Sequence, residues 1–135
     1  MQKALYIIFL FLYNMSTTTS SSAQSLEGKW IPVKQELNGQ PLPADSFAQS
    51  KLTIQKDGYT FETGYATDQG DAITQDGKMD IYSREGANKG KHFKAIYKLE
   101  NNQLIICYNL AGDHYPQNFE TQGHELFFLC VFQRQ

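Results

Sequence analysis

From residue 28 to its end the chain is a succession of short alternating runs, broken by pairs of turn residues, and this rhythm constrains the fold more than any other feature. Asn38-Gly39, Asp57-Gly58, Asp76-Gly77 and Asn101-Asn102 supply the punctuation. Such pairs tolerate the positive φ angles that tight hairpins need. Between them lie the strand-like runs. Gly28–Leu37 opens the series. Lys51–Gln55 and residues 59–63 alternate on either side of Lys56, Asp57 and Gly58, and read as a hairpin. Residues 71–75 and 78–83 read as a second. In His92–Glu100 the side chains of Phe93, Ala95, Tyr97 and Leu99 share one face. Gln103–Asn109 and a final run over residues 124–135 complete the set. Residues 44–50 follow Pro43, which suits a first helical position, so one or two helical turns are expected there. Residues 64–70, 84–91 and 110–123 read as loops. The sum is an all-β domain of about eight antiparallel strands with one short helix after the first. An up-and-down barrel is expected, because closure removes exposed sheet edges. An open sandwich is the alternative. The last strand is apolar on both faces over residues 126–132, so its outer face needs a cover: the short helix, the long loop or a partner.

The alternation does not extend to the start of the chain. Lys3 precedes an apolar run over residues 4–13, then a Ser/Thr-rich stretch, with Ser21 and Ala23 at −3 and −1 of a cleavage site. The apolar run is about half the roughly 20 residues that a membrane-spanning helix needs. Residues 1–23 are therefore expected to be a signal peptide and residues 24–135 the domain, exported to the periplasm or secreted, with no stable membrane insertion after cleavage. No cysteine at the boundary offers a lipid-anchor site. Without Lys3 the domain has 11 basic against 14 acidic residues, a net charge of −3. That balance argues against nucleic-acid binding, which requires a basic surface to displace counterions. The exported compartment permits a disulfide between Cys107 and Cys130, on two late strands. Two separate buried thiols are the other reading.

The triplet Gly28-Lys29-Trp30 resembles the G-x-W that opens lipocalin barrels, and Arg134 stands on the last strand where that superfamily lays a basic residue across the Trp ring. A wider resemblance runs from Leu26 to Arg134. It is carried by LEGKW at 26–30, NGQPLP at 38–43, DGYTF at 57–61, KMDI at 78–81, NKGK at 88–91, AIYKLE at 95–100, LIICY at 104–108 and YPQNF at 115–119. These segments are similar to an exported, planctomycete-type family of bacterial lipocalin-like domains with no assigned activity. The resemblance implies a lipocalin-like barrel in which Gly28, Trp30 and Arg134 close one end. It implies no reaction, since fold alone licenses none. One departure is Tyr115, where the family carries Arg before the proline. Any role of that Arg does not transfer.

No catalytic motif is present: no G-x-S-x-G elbow, no phosphate-binding glycine loop and no nucleophile–base pairing. The chain is not expected to be an enzyme or to need a cofactor. His92, His114 and His124 have no zinc spacing, and a cluster of Asp113, His114 and His124 is outweighed by solvated loop histidines. Asp68, Asp71 and Asp76 lack calcium-loop spacing and read as turn-forming acids. Arg84, Lys89, Lys91 and Lys94 read as a solvated hairpin loop rather than an anion site. The aromatic residues carry more information. Tyr59, Phe61, Phe93, Tyr97, Tyr108 and Phe128 are candidates for inward faces, where they either line a cup for a small hydrophobic ligand or fill the barrel. The expected function is binding of a small apolar or amphipathic molecule. The alternative is a protein–protein interaction or inhibitor module, with a filled barrel as scaffold and a homo-oligomer or protein as partner.

Overall fold

A computed structural model describes residues 25–135 as a closed β-barrel. The signal-peptide reading falls on residues 1–23, outside those described. The strands are β1 (Gly28–Leu37), β2 (Gln40–Pro41), β3 (Lys51–Gln55), β4 (Gly58–Glu62), β5 (Thr67–Gln75), β6 (Lys78–Gly86), β7 (His92–Glu100), β8 (Gln103–Asn109) and β9 (Phe127–Arg134). Each long strand pairs antiparallel with the next, and β9 returns to β1, closing an eight-stranded wall. The two-residue β2 folds back on the end of β1 through Asn38 and Gly39. The barrel is compatible with a lipocalin-like fold. The sandwich alternative fails because β1 pairs with both β3 and β9.

Turn chemistry sets the hairpins. Asp76-Gly77 and Asn101-Asn102 have positive φ at both positions, as two-residue hairpin loops require. The β3–β4 turn departs from expectation by one residue. Gln55 pairs with Gly58, so Lys56 and Asp57 make the turn and Gly58 opens the strand. The expected helix shrinks to one 3₁₀ turn at Ala44–Ser46. Two expected loops are partly strand. β5 begins at Thr67, and β6 runs on to Gly86. Gly70, which reads as loop punctuation, marks a bulge between Gln69 and Gly70, where a β-carbon would stand 1.9 Å from the Tyr82 carbonyl oxygen.

Alternation divides each strand between two environments. The barrel interior is one apolar cluster that includes Trp30, Leu52, Ile54, Met79, Ile81, Phe93, Leu104, Ile106 and Phe132. A second cluster lies outside the wall. Cys107, Phe127 and Leu129 are buried there with Ile96, Ile105 and Phe119. Phe119 belongs to the connection between β8 and β9. That long loop is the cover that the two-sided last strand requires. It is fastened by Thr121, fully buried, whose hydroxyl accepts from the Gly39 amide at 2.9 Å and donates to Glu36. Tyr115 fastens it again, donating to Asp80 at 2.5 Å.

The same alternation separates the cysteines. Ile106 faces Cys130 across β8–β9, and Cys107 faces Leu129. One residue of offset puts the two thiols on opposite faces of the wall, Cys130 inward and Cys107 outward. Both are free, so the candidate disulfide is not formed. Burial pushes Cys107 up to about 11 and Cys130 up to about 12, leaving both as inert thiols.

Candidate functional site

The two ends of the barrel are built differently. At the end where β1 starts, Trp30 is fully buried, and its indole N–H donates to the Leu26 carbonyl at 2.9 Å. Trp30 and Arg134 are register partners, and the guanidinium lies 4.2 Å from the indole centroid. Arg134 also donates to the carbonyls of Glu27, at 2.7 Å, and Ser25, at 3.2 Å. A cation over the ring and two hydrogen bonds thus hold residues 25–27 across this end. Gly28 has two reasons to be glycine. Its φ is 134°, and a β-carbon would stand 2.8 Å from Arg134 Nη1. The glycine makes room for the guanidinium, which is the structural answer to its place before the tryptophan.

The opposite end holds a cavity of about 160 Å³. The β3–β4 hairpin brings Leu52, Ile54, Tyr59 and Phe61 to it. β7 supplies Phe93, β8 supplies Ile106 and Tyr108, and β9 supplies Phe128 and Cys130. Tyr108 and Phe128 are cross-strand partners with ring centroids 5.8 Å apart. Phe61, Asn88 and Leu110 are half-buried among the lining residues. Of the six aromatic candidates, five come together here: Tyr59, Phe61, Phe93, Tyr108 and Phe128. The sixth, Tyr97, faces the Trp30 end, beside Leu26, Glu27 and Met79. Nine-residue β7 spans the barrel, so Phe93 and Tyr97 share a face but not an end.

The cavity has one polar corner, which sequence reading missed. Asp68 accepts a hydrogen bond from the Tyr59 hydroxyl at 2.8 Å and another from the Ser83 hydroxyl. Burial, and then the bond to Asp68, raise Tyr59 well above the ordinary phenol range. Burial also raises Tyr108, whose hydroxyl has no hydrogen-bonding partner among the described residues. Asp68 was expected to be a turn acid alongside Asp71 and Asp76. Asp71 does lie outside, paired with Arg84 at 2.8 Å, and Asp76 is a turn residue with φ 52°. Asp68 differs because β5 starts earlier than the glycines suggest. Its alternation with inward Ala72 is a signal, but only once Gly70 is read as part of a strand rather than a loop.

The remaining polar candidates lie elsewhere. His92 Nε2–H donates to the Asp80 carboxylate at 2.7 Å, and its ring stacks on Tyr82. His114 contacts Asp113 at 3.0 Å, and His124 stacks on Phe127. Among the described residues no three His, Cys, Asp or Glu side chains form a group that fits a metal ion. Arg84 is engaged by Asp71, Lys94 lies over the Tyr115 ring, and Lys89 and Lys91 are exposed. Tyr115, where the resembled family has Arg, holds the Asp80 carboxyl from the long loop, with Lys78 and Lys94 about its ring. No protein-family model matches the chain, and no curated protein is significantly similar to it.

Proposed function

We propose that this protein is an exported, lipocalin-like binder of a small apolar or amphipathic molecule, held at the end of the barrel opposite Trp30. The observation that carries the reading is the cavity itself: a mainly apolar chamber lined by six aromatic residues, with a carboxyl at Asp68. Its volume of about 160 Å³ sets the size of the occupant. A buried apolar cavity of roughly 150 Å³ accommodates benzene, so a single ring with a short substituent fits and a long acyl chain does not. Export rests on the leader reading of residues 1–23, and kinship with the planctomycete-type family rests on the segments quoted above.

The alternative is an interaction or inhibitor module. In its favour, the cavity is smaller than the roughly 300 Å³ at which ordinary ligand pockets begin, and Tyr65, in the β4–β5 loop, is 99% exposed. Against it, the apolar outer face of β9 is occupied by the protein's own loop through Phe119. Native mass spectrometry of the protein purified from its own host tests the proposal. A retained small molecule is expected, and it should be lost in Ala72→Leu, which extends a larger side chain into the cavity. No retained molecule, together with no saturable binding of toluene, would transfer the reading to the interaction module.

A further inference from the structure

We infer that the occupant of the cavity is a small amine, an apolar ring or chain carrying a protonated nitrogen that pairs with Asp68. The inference rests on the binding reading above and names the chemistry of its ligand. Asp68 is the one charged residue in the cavity lining, which contains no Lys, Arg or His. Its two oxygens each accept one hydroxyl, from Tyr59 and from Ser83. A carboxylate has about four acceptor positions. Two therefore remain, and a carboxylate that is already receiving two donors has nothing to donate. Any ligand group that engages it must bring the proton. Within apolar walls a charge-assisted bond from an ammonium is stronger than one from a neutral hydroxyl. A ligand carboxylate would meet like charge with no cation to compensate it. The unpartnered Tyr108 hydroxyl offers a second polar contact.

The hydroxyl pair also fixes the carboxylate. Tyr59 comes from β4, Asp68 from β5 and Ser83 from β6, so three adjacent strands hold the group in one orientation before any ligand arrives. Preorganisation of this kind lowers the cost of binding. A purely structural role, tying the three strands together, is the competing explanation. It predicts no preference among ligands of the same size and shape.

The test is a calorimetric titration of the intact domain at neutral pH with toluene, benzyl alcohol, benzylamine and phenylacetate, four single-ring probes of which the first three match closely in size and differ in their polar group. Benzylamine should bind at least about tenfold more tightly than toluene or benzyl alcohol, and phenylacetate should not bind. Asp68→Asn keeps the shape and removes the charge. It should erase the advantage of benzylamine over toluene. If all four probes bind equally, or if toluene binds best, the binding reading stands and the amine inference fails. If none binds saturably, both fail. The probe series on the unaltered protein decides the matter even where Asp68→Asn does not fold.

Discussion

The two ends of this barrel solve opposite problems with the same kinds of residue. At one end an aromatic ring, a cation and two backbone carbonyls are joined to one another: Trp30 is buried beside residues 25–27, and Arg134 lies over it. At the other, aromatic rings and a carboxyl surround a chamber, and the polar groups point into it. What differs is where the hydrogen bonds go. Arg134 spends its donors on the backbone of the chain's own start. Asp68 keeps acceptor positions that the protein does not fill. The first arrangement ties the chain to itself; the second leaves acceptor positions facing the chamber.

That contrast predicts unequal costs of truncation. Trp30→Ala should lower the unfolding free energy by about 3–5 kcal/mol, the range for large aromatic residues removed from a core. A margin of roughly 5–15 kcal/mol leaves little after such a loss. Phe61→Ala, at the half-buried rim, should cost clearly less. Denaturant unfolding of both variants checks this, and equal costs would break the comparison. Next in size is Thr121→Val, which keeps the shape of a fully buried side chain but strands the Gly39 amide and Glu36. About 1–3 kcal/mol is expected, the range for leaving a buried partner unsatisfied. A smaller effect sharpens the account of the sealed end. A double-mutant cycle of Trp30→Phe and Arg134→Gln should give a coupling of about 0.5–2 kcal/mol, as a stacked cation gives. Additive effects would deny the stack any energetic role.

The smallest effect is a pH dependence outside the wall. Burial of Asp80 acts to raise its pKa, but the bonds from Tyr115 and His92 outweigh it and hold the carboxyl below its usual range. A group depressed in the folded state contributes stability above its unfolded value, and that contribution is lost as pH falls through its folded value. Stability should therefore decline on the acid side of the ordinary carboxylate range. Asp80→Asn should flatten that limb, and Tyr115→Phe should weaken it, in unfolding curves recorded across that range.

The sealed end was legible in the sequence because its parts carry strong, local signals. The Gly28-Lys29-Trp30 triplet and the basic Arg134 on the last strand match a lipocalin-like pattern, and the resemblance implies the pairing that the closure of β1 on β9 brings together. The strands were legible for the same reason, since turn residues and alternation are short-range. The polar corner was not. Asp68, Tyr59 and Ser83 sit on three strands, and none is near another in a motif. Gly70 hid Asp68 further, since a glycine required by the close approach of the Tyr82 carbonyl looks the same in sequence as one required by a loop. Tyr97 shows the converse limit. Alternation gives the face of a side chain but not its height along the barrel, so Tyr97 shares the inward face of Phe93 yet lies at the other end. The cysteines were separable by parity alone, given the β8–β9 register, and that register depends on the long loop's length and fastening rather than on a turn motif.

The division between a sealed end and a receptive end is tested most directly by mapping a small probe onto the folded domain. Backbone amide shifts should be followed by solution NMR during titration with benzylamine. The account predicts saturable shifts at Tyr59, Phe61, Asp68, Tyr108 and Phe128, with Trp30 and Arg134 unmoved. Saturable shifts centred on Trp30 and Arg134, or no saturable shifts anywhere, would contradict it.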